Sequence, residues 1–304
     1  MIAMTAVLPA VGGCNLKCAG CFINQRKETN TIDMRTEDYL RFFKETLAMP
    51  EVNSFSIQGH EALLPSVYEL TKELLHMSWD AGLVTLLVTN GVYLKEVAHE
   101  IVQITDSIIV SVDSHNPALH DLSRGEQGAW QKTIGGIQAV RDCFEDGVVG
   151  DDVFSKYISV ASILYPGKVD RLLGMPELLK KLGVTNWVIS PLISLKRGGY
   201  HDSDYIRVRE NLLQLTEMGK THGVRVALSD EFRKLEHVED LFKALSVDTL
   251  DKNATIVRLS PDASVRVGRE ILQEESFRKW DRREDPVEFL KGALAEYKIR
   301  YSNV

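Results

Sequence analysis

The chain has 304 residues, 44% of them hydrophobic and only nine prolines, so it can bury a large core and disorder is not the default. Its formal charge is −7, and the basic residues are dispersed rather than gathered on one face, which argues against nucleic acid as the main partner. No apolar stretch approaches the ~20 residues of a bilayer span, and Met1 to Gly13 lacks the basic start of a signal peptide, so the chain reads as soluble and cytosolic, with no membrane partner.

Taken in order, short β-branched or apolar runs alternate with amphipathic stretches of helical length. Strands are expected at Thr5 to Val11, Ser54 to Gln58, Val84 to Thr89, Ser107 to Asp113, Tyr157 to Leu164, Asn186 to Pro191 and Val224 to Ser229. Helices are expected between them at Glu37 to Met49, Ser66 to Asp80, Leu94 to Ile104, Ala129 to Phe144, Val169 to Leu182 and Asp204 to His222. Most of the strands are near-continuous apolar runs, as strands buried on both faces should be. The alternation is that of βα units with a parallel sheet. Beyond Asp230 the rhythm changes to a charged helical stretch from Glu231 to Leu245. A hairpin of Thr255 to Leu259 and Ser264 to Gly268 follows, then a last helix from Pro286 to Tyr297.

Four cysteines, three of them within eight positions, are the wrong distribution for a disulfide framework and the right one for a metal or cluster site. Cys14, Cys18 and Cys21 lie just past the first strand, at the carboxyl end where α/β barrels place their chemistry. Three thiolates on one loop can bind three irons of a [4Fe–4S] cube and leave the last open to a ligand. A zinc site would need a fourth ligand, and the nearest histidine in sequence is His60. Three incidental buried thiols are the remaining alternative.

The spacing C-x3-C-x2-C after the first strand of a βα chain resembles the radical SAM superfamily. That resemblance implies an α/β fold built as a partial (β/α)6 barrel of TIM type with parallel strands, over residues 1–230, and a short α+β extension over 231–304. It implies a [4Fe–4S] cluster that binds S-adenosylmethionine (SAM) at its open iron and cleaves it to a 5′-deoxyadenosyl radical. Gly20 departs from the family, many members of which carry an aromatic residue there; the ring that shields the adenine then comes from elsewhere. Gly59-His60-Glu61-Ala62 is similar to the family's Gly-Gly-Glu-Pro motif, with Gly59 letting the backbone pass close to the cofactor and Glu61 accepting from its ammonium. Ser111 and Asp113, which strand alternation puts on one face, resemble the ribose-binding segment, and Arg124 the carboxylate-binding arginine. A polar strand end with a solvated loop explains these three equally well.

Other features carry less. Thr89-Asn90-Gly91 is explained by Asn-Gly turn chemistry, and Cys143 by a structural thiol near a helix end, on the stability face of a barrel. His115 and His120 do not share a helix face, and Lys196 to Asp202 is a polar loop at the catalytic rim. Many relatives carry a cysteine-rich SPASM or twitch extension, but no cysteine follows Cys143, so no auxiliary cluster is expected. The resemblance implies hydrogen-atom abstraction from a small polar metabolite, with an external electron donor such as flavodoxin or ferredoxin. With the barrel starting near Met1, no amino-terminal peptide-docking domain is expected. Radical modification of a precursor peptide and activation of a glycyl-radical enzyme stay open.

Overall fold

The computed structural model describes residues 1–8, 13–21, 23, 32–147, 154–192, 207–229, 231–232, 238–245, 254–268 and 276–301. Its strands are β1 (Ile2–Ala6), β2 (Val52–Ile57), β3 (Val84–Thr89), β4 (Ser107–Ser111), β5 (Ile158–Leu164), β6 (Asn186–Pro191), β7 (Arg225–Leu228), β8 (Thr255–Leu259), β9 (Ser264–Gly268) and β10 (Ser276–Lys279). The helices are α1 (Thr36–Thr46), α2 (Tyr68–Asp80), α3 (Leu94–Ile101), α4 (Pro117–Arg124), α5 (Ala129–Glu145), α6 (Phe154–Tyr157), α7 (Met175–Leu182), α8 (Val208–His222), α9 (Glu239–Leu245) and α10 (Pro286–Tyr301).

β1 to β7 run parallel in sequence order, the partial-barrel α/β arrangement expected, and β8 extends the sheet by pairing parallel to the other edge of β1. β9 and β10 then add antiparallel strands. The ladder between β1 and β8 therefore joins the amino-terminal strand directly to the carboxyl-terminal segment.

The two faces of the sheet differ in chemistry. Ile2, Met4, Ala6 and Leu8 alternate into one apolar core with Tyr39, Phe42, Phe43 and Phe55. Within it Phe43 meets Phe55 at 5.3 Å and Phe42 meets Trp280 at 5.1 Å between ring centroids, which ties the first βα unit to the end of β10. Each such pair contributes about 1 kcal/mol beyond its buried area. On the opposite face Thr5 bonds Ser56 across β1 and β2 at 2.9 Å, and Gln58 Nε2 donates to the same hydroxyl at 3.1 Å. The inner face is thus polar where the first two strands end.

Several boundaries depart from those expected. β1 spans Ile2–Ala6 rather than Thr5 to Val11, because its register is set by Val52 on one side and Thr255 on the other; residues 9–12 lie outside the described residues. The helix expected from Val169 to Leu182 is broken. A 3-10 turn covers Val169–Arg171, and α7 starts at Met175 with Pro176 in its first turn. Proline lacks the N–H that a continuous helix would need there. α4, α6 and β10 had no counterpart in the sequence reading, and Tyr157, expected to open the fifth strand, ends α6 instead. α4 forms because Asn116 caps it, its side chain accepting from the N–H of Ala118 and Leu119, and Gly125 ends it in the left-handed region at φ 68°. No helix among the described residues is long and apolar enough to cross a membrane.

Candidate functional site

The cysteine loop leaves β1 and docks on the last turn of α4. Lys17 N–H donates to the Arg124 carbonyl and Ala19 N–H to the Ser123 carbonyl, both at 3.0 Å. These are carbonyls that a helix end leaves without partners, and the loop satisfies them. The approach is close: a Cβ on Gly125 would lie 2.4 Å from the Lys17 carbonyl oxygen. Leu16 pins the loop from within by packing against Val92 and Ala129, with Cys14 and Cys18 beside them.

The thiols sit in a partly buried, donor-rich surrounding. Cys14 Sγ accepts from Leu16 N–H at 3.4 Å and from Asn90 Nδ2 at 3.8 Å, and Cys18 Sγ accepts from an Arg124 Nη at 3.9 Å. Burial pushes the Cys14 thiol up to about 11, opposed by the Leu16 N–H. Burial also raises Cys18, opposed by the Arg124 charge. Thiols held protonated by desolvation, with cationic and amide donors already placed for thiolates, fit a metal centre that displaces their protons on binding. Among the described residues no three histidine, cysteine or carboxylate side chains converge to hold a single ion.

Glu61 is 2% exposed and knits the turn after β2 to the turn after β3. One oxygen accepts from Leu63 N–H at 2.9 Å and Thr89 Oγ1 at 2.7 Å, and the other from Asn90 N–H at 2.7 Å. Burial raises its pKa while those three donors pull it back. A carboxylate accepts about four hydrogen bonds, and the described residues supply three. Gly59 is required by the chain just past β1: its φ is 113° and a Cβ there would lie 2.8 Å from Val7 Cγ1. His60 is buried under the loop, its Nε2 3.9 Å from where a Gly13 Cβ would stand. Burial lowers its pKa, with the Leu8 backbone opposing at a geometry short of a full hydrogen bond.

Ser111 is half-buried at the end of β4, whereas Asp113 is 1% exposed and turned into the protein. The Asp113 carboxylate pairs with Arg124 Nη2 at 2.9 Å and accepts from Ser123 Oγ at 2.9 Å and Ile163 N–H at 3.1 Å. Its own N–H donates to His120 Nδ1 at 3.2 Å. Burial and then the Arg124 charge lower the His120 pKa to about 4, so the ring is a neutral acceptor that fixes the chain after β4. Arg124 thus joins β4, α4 and the Cys18 thiol.

Sequence reasoning passed over Asn90. Its Nδ2 donates to Asn15 Oδ1 at 2.8 Å within the cysteine loop, and its Oδ1 accepts from Val92 N–H. An Asn-Gly pair at a strand end was the available signal, and turn chemistry explained it without a ligand. Cys143 lies in the apolar core, and His115 packs against Gly174, so neither joins the site. Phe22 and the loop from Lys196 to Asp202 lie outside the described residues.

Residues 8–155 match the family model described as the radical SAM superfamily. The chain is 25% identical to the AdoMet-dependent heme synthase of Methanosarcina barkeri (strain Fusaro / DSM 804), over 98% of this chain and 91% of that one. It superposes on Streptococcus suis SuiB bound to S-adenosylmethionine with a TM-score of 0.65 at 13% identity, covering 94% of this chain and 65% of SuiB, just under two thirds. Tagged anSMEcpe with bound AdoMet gives a TM-score of 0.66 at 17% identity, over 98% of this chain and 82% of that one. At such identities the likeness to the two structures is one of fold.

Proposed function

We propose that this chain, of which residues 8–155 match the radical SAM superfamily, is a radical SAM enzyme that uses a [4Fe–4S] cluster and SAM and abstracts a hydrogen atom from a small polar metabolite. The observation that carries the reading is the backbone docking of the cysteine loop on α4, which sets the Cys14 thiol beside Asn90 and the Cys18 thiol beside Arg124 at the carboxyl end of the parallel sheet. Cys14, Cys18 and Cys21 would hold the cluster. When bound, the cofactor pair supplies a 5′-deoxyadenosyl radical able to attack an unactivated C–H bond.

The remaining work falls to the chain's own residues. Glu61 offers a further acceptor position to an ammonium, and Gly59 and His60 set the backbone that carries it. Ser111 offers a hydroxyl to a ribose. Asp113 acts from behind by holding Arg124, whose guanidinium stays charged and serves both the Cys18 sulfur and a ligand carboxylate. An external one-electron donor, such as flavodoxin or ferredoxin, would feed the site. The nearly end-to-end alignment with a heme synthase supports a small-molecule substrate over a peptide.

The test is mass spectrometry of 5′-deoxyadenosine formed by the anaerobically reconstituted enzyme with dithionite, SAM and deuterated candidate substrates. The proposal expects 5′-deoxyadenosine one mass unit heavier with a small molecule. No 5′-deoxyadenosine from cluster-loaded enzyme, or label arriving only from a peptide, would overturn it.

A further inference from the structure

Position 20, in the turn between Cys18 and Cys21, carries no side chain, and the space one would fill is already taken. A Cβ on Gly20 would lie 2.3 Å from Leu192 Cδ1, 3.4 Å from Tyr165 Oη and 3.7 Å from Tyr165 Cε1. Both residues come from strand ends: Tyr165 directly follows β5, and Leu192 follows β6.

The Tyr165 hydroxyl is buried, yet no group among the described residues hydrogen-bonds it, while the residue as a whole is only half-buried. Buried tyrosine hydroxyls ordinarily find a partner. The rest of the residue is held: its backbone carbonyl accepts from Lys168 N–H at 3.0 Å, and the Arg171 guanidinium carbon stands 5.2 Å from the ring centroid. The Arg171 carbonyl in turn accepts from Ser114 Oγ at 2.9 Å, which fixes this turn to the chain after β4. The ring is thus anchored through Arg171, and its unpaired hydroxyl lies beside the cysteine turn, 3.4 Å from where a Gly20 Cβ would stand.

Resting on the reading of the cysteine loop as the cluster and SAM site, we propose that Tyr165 is the side chain position 20 lacks: its ring walls the nucleoside half of the cofactor pocket and its hydroxyl bonds the bound nucleoside. Gly20 and Tyr165 are then a complementary pair, a small residue in the loop admitting a ring from the barrel. Tyr165 is a specificity residue for the nucleoside and makes no contact with the methionine half.

The experiment compares Tyr165→Phe and Tyr165→Ala with the unmodified chain, all reconstituted anaerobically, by binding of two probes, SAM and free methionine. Iron content serves as the control for folding and loading. Tyr165→Phe is expected to keep its iron and bind SAM about tenfold more weakly, the loss of one hydrogen bond. Tyr165→Ala is expected to lose more, and both should bind methionine as the unmodified chain does. Unchanged SAM affinity in both variants would overturn the inference, as would a parallel loss for SAM and methionine, which marks a packing role. If the unmodified, iron-loaded chain binds no SAM, the cofactor reading beneath the inference fails with it.

Discussion

Arg124→Ala is expected to destabilise the protein by about 3–5 kcal/mol, the range for removing one member of a buried ion pair. The pair is closed to solvent, with Asp113 1% and Arg124 8% exposed, and their 2.9 Å contact is reinforced by Ser123 and the Ile163 N–H. Truncating Arg124 leaves a desolvated carboxylate without its charge partner. Truncating Asp113 should cost less, since the guanidinium keeps the Cys18 sulfur at 3.9 Å. Because the penalty comes from stranding a charge, Asp113→Ala with Arg124→Ala should cost clearly less than the sum of the single changes. Urea unfolding of the four proteins measures this. Additive losses, or a loss under about 1 kcal/mol for Arg124→Ala, would contradict a buried, coupled pair.

The second large effect is expected at Gly125. It caps α4 at φ 68°, and a Cβ there would drive into the Lys17 carbonyl at 2.4 Å, main chain that cannot swing aside as a side chain can. Gly125→Ala therefore carries left-handed strain of about 1–2 kcal/mol and must also push the cysteine loop off the carbonyls of Ser123 and Arg124. Gly128 isolates the second effect, since its φ is 81° and a Cβ there would meet nothing within 4 Å. Both variants should lose similar amounts of stability to strain, but only Gly125→Ala should lose most of its bound iron after reconstitution. Equal iron contents in the two would show that loop docking does not hold the thiols.

The sequence displayed the strand–helix alternation and the cysteine spacing because both are local: apolar runs of fixed length and one loop carry them. The third strand, the sixth and both strands of the carboxyl-terminal hairpin fall at the residues expected. What escaped is set by partners distant in the chain. The register of β1 is fixed by Val52 and Thr255, and the isolated run from Thr5 to Val11 carries no trace of either. The break before α7 was legible in Pro176 but hidden by the apolar pattern around it. Glu61 could be picked out by its motif, yet its partners Thr89 and Asn90 belong to the next strand, and no local pattern announces that closure. Tyr165 has no motif at all. Only its place against Gly20, four strands back in the chain, gives it meaning.

The most direct measurement is the iron and sulfide content of the anaerobically reconstituted chain, read with Mössbauer spectra before and after SAM is added, beside Cys18→Ala. About four irons and four sulfides per chain are expected, with one iron changing its spectrum when SAM binds, and both features absent from Cys18→Ala. A stoichiometric zinc ion in place of the cluster, or a cluster whose irons all ignore SAM, would contradict the account.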